Sequence, residues 1–128
     1  MSERWKDWLT QAERDLEHAA MAAEQGFYEW ACFSAQQAAE KALKAVYLFR
    51  NAEAWGHSVA SLLKNLPEKA SEDLIEKGAK LDRFYLPTRY ANSFESGAPM
   101  EYFFKTDAEE AIENAKEIIR YGKGLLPK

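Results

Sequence analysis

The sequence predicts an all-α fold: an up-and-down bundle of four long helices plus one short helix, in a single domain over residues 1–128. Three observations carry this. Apolar residues recur with the helical period in almost every patterned segment, and no segment alternates convincingly with the period of a strand. Gly26, Pro67 and Pro87 stand where those segments stop. Thr106 to Glu109 spells a capping box, with threonine closing the N-terminus of the last helix and glutamate reaching back.

The first helix starts near Trp5, and Trp8, Leu9, Ala12, Leu16, Ala19, Ala20 and Ala23 share its apolar stripe before Gly26. The second runs from about Phe27 to Asn51, and the short link makes the two antiparallel neighbours. "NAEAWGH" reads as a loop and "SVASLLKNL" as the short helix, ended by Pro67. The third long helix covers about Ala70 to Tyr85, with Leu74, Ile75, Leu81 and Tyr85 inward and Pro87 ending it. Ala108, Ala111, Ile112, Ala115, Ile118 and Ile119 form the stripe of the last. Leu86 to Phe104 has the proline, glycine and serine of a loop, yet carries Tyr90, Phe94, Tyr102, Phe103 and Phe104. Such a loop either packs down over the bundle or forms a binding surface.

The second helix has two faces. Ala31, Ala35, Ala38, Ala39, Ala42, Ala45, Val46 and Phe49 form a wide apolar one. Opposite, Gln37, Glu40 and Lys44 are bracketed by Phe33 and Tyr47, which poses a choice between a wet surface and the wall of a site.

Composition narrows the function. A formal charge of -4 argues against a dedicated binder of duplex nucleic acid. The single cysteine, Cys32, has no internal disulfide partner and sits among apolar neighbours, which suits an inert thiol in a reducing cytoplasm. No apolar run is long enough to span a bilayer, and the N-terminus is too charged for a secretory signal. The expected location is cytoplasmic, with no membrane contact. Phosphate loops, paired Cys-x-x-Cys and the zinc helix His-Glu-x-x-His are absent, so no cofactor, metal or catalytic set is expected.

A few residues are candidates for a site. Glu40 and Lys44 have the favourable i to i+4 order, which also explains them as an ordinary pair. Arg89 beside Tyr90, just past Pro87, suits a phosphate or carboxylate. His57, after Gly56, reads first as a cap for the short helix and second as a cleft residue. His18 reads as a surface residue, and Asp15 as an acceptor for a neighbouring helix.

The order "WLTQAERDLEHA", "GFYEWACFSAQQAAEKALKAVYL", "GHSVASLLKNL", "YLPTRYANS" and "TDAEEAIENAKEII" resembles the HEPN domain (higher eukaryotes and prokaryotes nucleotide-binding) over nearly the whole chain. The most specific pieces are the Gln-Gln-Ala-Ala-Glu-Lys-Ala run, Gly56-His57-Ser58 and Thr88-Arg89-Tyr90. The resemblance implies a helical bundle, commonly a homodimer, with a cleft built partly at the subunit interface. It implies either a metal-independent ribonuclease, with Arg followed after four to six residues by His, or the partner of a small nucleotidyltransferase. Here the positions that histidine would take after Arg89 hold Phe94, Glu95 and Ser96. A tyrosine two residues beyond it, adenylylated in some toxins, is missing too. Arg50 and His57 meet the spacing formally, but in the loop after the second helix, and read as coincidence.

The resemblance places Gln37, Glu40, Lys44, His57, Arg89 and Tyr90 at a nucleotide- or partner-binding cleft. The expected function is a non-catalytic module binding a nucleotide or a small nucleotidyltransferase in a toxin–antitoxin-like system. RNA is a substrate only under the alternative of a ribonuclease toxin; a third reading is a structural homodimer with a vestigial cleft.

Overall fold

A computed structural model describes residues 3–128, and among these every regular element is helical. The long helices are α1 (Arg4–Glu24), α2 (Tyr28–Phe49), α4 (Glu72–Asp82) and α5 (Lys105–Gly124), with the short α3 (Val59–Lys64) between α2 and α4. Cross-helix pairs give the directions. His18 meets Ser34, Asp15 meets Lys41 and Trp5 meets Phe49, so α1 and α2 are antiparallel. Lys77 meets Glu117 and Lys80 meets Glu110, so α4 and α5 are antiparallel as well. The up-and-down bundle is as the periodicity predicts.

The first two helices end for the same reason. Gly26 has φ 84° and Asn51 has φ 55°, left-handed conformations that turn the chain back. Phe27 N–H then donates to the Ala22 carbonyl at 2.8 Å, and Ala52 N–H to that of Tyr47 at 2.9 Å, satisfying carbonyls the helix leaves unpaired.

α2 is the centre of the bundle. Its alanine face is fully buried against α1 and α5, where Ala12, Ala19, Ala111 and Ala115 are equally small. Small side chains on both sides let the helices approach closely. The opposite stripe is no wet surface: Glu40 and Tyr47 are buried, and Gln37 and Lys44 are only partly exposed. Tyr47 donates to the Leu62 carbonyl at 2.7 Å and pins α3 to α2.

Three local readings need correction. The cap of α5 lies two residues earlier than Thr106: the helix starts at Lys105, and Asp107 accepts from Phe104 N–H at 2.8 Å. An aspartate in the first turn serves as well as the glutamate of the Thr106 box. α4 stops at Asp82 rather than Tyr85, and hydrogen-bonded turns continue the chain to Arg89. A helix continued through Pro87 would set the ring against the carbonyl of Arg83. His57 caps nothing. Ser58 is the N-cap of α3, accepting from Ser61 N–H at 3.1 Å.

The Leu86–Phe104 loop packs down over the bundle along one side. Thr88 is buried and donates to the Phe84 carbonyl, while Phe103 packs edge-on against Phe84 and Phe94. Its outer face leaves Tyr90, Met100, Tyr102 and Phe104 exposed. No helix of the described residues is long and apolar enough to cross a membrane.

Candidate functional site

The polar stripe of α2 becomes a wall because the loop after α2 folds back along it. The His57 carbonyl accepts from Gln36 Nε2 at 3.1 Å, which ties the loop to the helix. Gln36 also donates to Glu40 Oε1 at 3.1 Å. Reasoning from the sequence selects Gln37 and misses this fully buried glutamine. Its i to i+4 relation to Glu40 is the signal that could have found it.

Glu40 is the hub, at 4% exposure. A buried carboxylate is tolerated only when paired and hydrogen-bonded. Here Oε1 accepts from Gln36, and Oε2 faces Lys44 Nζ at 3.1 Å and His57 Nδ1 at 3.2 Å. Gln37 donates to Gln36 Oε1 at 2.7 Å and completes the network. With a carboxylate facing Nδ1, that nitrogen is the donor to Glu40, and Nε2 stays outside this contact. The His57 side chain is 53% exposed, so it can meet a ligand.

The His57 ring stacks on Tyr85, with centroids 4.5 Å apart and planes 17° from parallel. Tyr85 links the two halves of the site. Its carbonyl accepts from Nε and Nη2 of Arg89, and its ring lies 4.9 Å from the guanidinium. Phe33 holds the same guanidinium at 4.2 Å and Tyr90 at 4.9 Å. No carboxylate pairs with Arg89 among the described residues, and Nη1 makes only a long 3.4 Å contact with the Tyr90 hydroxyl. The site thus joins Gln37, Glu40, Lys44 and His57 in one cluster, and Arg89 and Tyr90 reach it through Tyr85.

Other residues fall outside it. Arg50 forms a fork with Glu68, Nη1 to Oε1 at 2.8 Å, so its guanidinium and His57 face different partners. That pairing raises the Arg50 pKa and lowers that of Glu68. Asp15 accepts from Lys41 at 2.7 Å, as a helix-edge acceptor should. His18 is exposed yet is more than a surface residue, since its Nδ1 lies 2.7 Å from Ser34 Oγ. Cys32 is fully buried, and burial, with lesser contributions from Asp107 and Glu29, pushes its pKa up to about 12. A thiol held protonated is a poor nucleophile.

An all-α bundle carries this polar wall on its central helix, and the turns after α4 bring Arg89 up to it. The chain belongs to the HEPN family, whose domain matches residues 5–125. The crystal structure of TT1696 from Thermus thermophilus is similar to it with a TM-score of 0.93 and 43% identity, over 98% of this chain and 100% of that one. ST0689, described as an archaeal HEPN homologue, has a TM-score of 0.81 and 44% identity, covering 96% and 98% of the two chains. A protein of Methanocaldococcus jannaschii named "Putative toxin MJ1304" is 30% identical over 94% of this chain and 87% of its own.

Proposed function

We propose that this chain is a non-catalytic HEPN module that binds a nucleotide, free or carried by a small nucleotidyltransferase partner, in a cytoplasmic toxin–antitoxin-like system. The observation that carries the reading is Arg89. Its guanidinium is oriented by the Tyr85 carbonyl and three rings, with Nη1 left for a ligand. A guanidinium held in one geometry without a carboxylate suits a phosphate, because little entropy is lost when the contact forms. The half-exposed His57 ring, stacked on the same Tyr85, adds a second polar group on this side of the site. Similarity to a protein named as a toxin supports the toxin–antitoxin setting.

Cleavage of RNA without a metal requires a base to take the 2′-hydroxyl proton. The expected place for that histidine after Arg89 holds Phe94, Glu95 and Ser96, which favours binding over catalysis. Calorimetric titration with ATP tests the reading. Wild type should bind, and Arg89→Ala should bind roughly tenfold more weakly, since a charge-assisted contact is worth about 1.5–3 kcal/mol. No binding by wild type at millimolar ATP would remove the nucleotide and leave only the partner-protein form.

A further inference from the structure

Trp55 has no role in the site described above, yet it is 78% exposed, more than any other large apolar side chain described. Between it and Trp8 of α1 lies a groove of about 430 Å³, with Leu48 in its lining and Lys44 and Glu53 as its charged residues. Lys44 therefore belongs to two places, for it lines this groove and donates to Glu40. Through Lys44 the groove adjoins the strip formed by Glu40, His57, Tyr85 and Arg89.

We infer that groove and strip are one elongated site for a nucleoside polyphosphate, its base between Trp8 and Trp55 and its terminal phosphate at Arg89. The inference rests on the nucleotide reading above and adds the ligand's length and direction. Charge sets the direction. Lys44 is neutralised by Glu40, and Glu53 has no cationic partner among the described residues, so the groove end repels phosphate. Its walls are instead two indoles, which suit a neutral planar base. The unpaired cation is at the far end. Length agrees as well: Phe33, which stacks on Arg89, and Lys44 stand eleven residues apart on α2, about 16 Å at 1.5 Å per residue. An extended nucleoside triphosphate covers such a span, whereas a monophosphate covers only part of it. His57 lies between the two ends, where Nε2 meets the sugar or the phosphate chain.

The test is calorimetric titration of the full chain with ATP, AMP and inorganic tripolyphosphate, on wild type and Trp55→Ala. Wild type should prefer ATP to AMP by about tenfold or more. Trp55→Ala should bind ATP about tenfold more weakly and tripolyphosphate as well as wild type does, with the melting temperature unchanged because Trp55 is exposed. Equal ATP affinity in wild type and Trp55→Ala would overturn the base groove and leave nucleotide binding at Arg89 standing. Equal affinity of wild type for AMP and ATP would overturn the elongated site. Failure of wild type to bind ATP at all would sink both this inference and the nucleotide reading.

Discussion

The carboxylate of Asp82, the last residue of α4, accepts a hydrogen bond from the backbone N–H of Val59, the first residue of α3, at 2.6 Å. It also takes the Ala60 N–H at 3.2 Å and the Ser58 hydroxyl at 2.7 Å. One side chain thus closes the start of a helix contributed by another part of the chain, and it holds the Ser58 end of the loop that carries His57. A carboxylate there also complements the helix dipole.

Asp82→Ala should therefore destabilise the fold by about 2–3 kcal/mol, the usual cost of losing a cap plus charge-assisted bonds. Denaturant unfolding measures this. A loss below about 0.5 kcal/mol, the range of an ordinary surface substitution, would mean that Ser58 alone suffices.

Cys32 gives a pH dependence with a definite sign. The folded thiol has its pKa raised to about 12 from 9.0, so the unfolded chain loses its proton first. The stability this thiol contributes is fully present below pH 9 and is lost as pH rises from 9 towards 12. Burial raises the Tyr47 and Tyr121 hydroxyls in the same direction. A Cys32→Ala variant should show a shallower fall in stability over that window. In wild type at about pH 8, below the ordinary thiol range, a thiol reagent should react only as fast as the protein opens. Rapid labelling in the native state would contradict the burial.

Dimerisation is expected from the end of the bundle where α1 meets α2. Met21, Phe27 and Trp30 are exposed there, and the loop after α4 adds Tyr90, reached through Phe33. Exposed apolar patches of this kind mark interfaces, and closed two-fold dimers cover them most often. Light scattering at micromolar concentration should give about twice the chain mass of 14.6 kDa. Phe27→Glu should shift that species to monomer, and a monomeric wild type would refute the interface.

Purified protein should not cleave RNA. Arg50 is engaged by Glu68 while His57 faces Glu40 and Tyr85, so the two residues with the formal spacing do not share a site. The decisive comparison is wild type against His57→Ala on a single-stranded RNA. Cleavage by wild type that disappears in the variant would make His57 a catalytic base.

Much of the fold can be read in the sequence because its signals are local. The alanine face of α2, Gly26 as a turn and Pro87 as a stop each act within one or two helical turns. The candidate cluster is legible in part for the same reason: Gln37, Glu40 and Lys44 share one helix face, and Arg89 adjoins Tyr90. What escapes depends on contacts between distant segments. Gln36 matters because the His57 carbonyl arrives on it from 21 residues away. Tyr85 reads as a core residue, and its role as the link between His57 and Arg89 exists only in three dimensions. Asp82 has no local signature at all, because the helix it closes begins 23 residues earlier.

The central position of α2 has a dynamic consequence. It touches α1, α3, α4 and α5, so no rearrangement that exposes its middle can leave the rest of the bundle intact. Amide protons near Ala38 and Ala42 should exchange with solvent only when the whole chain unfolds, and their rates then report global stability directly. The loop from Ala52 to Gly56 rests on far fewer bonds and can open on its own. The protein is therefore built as a rigid rod wrapped by a compliant sleeve. Ligands that order the sleeve would slow exchange there while leaving the rod's own rates tied to the global equilibrium.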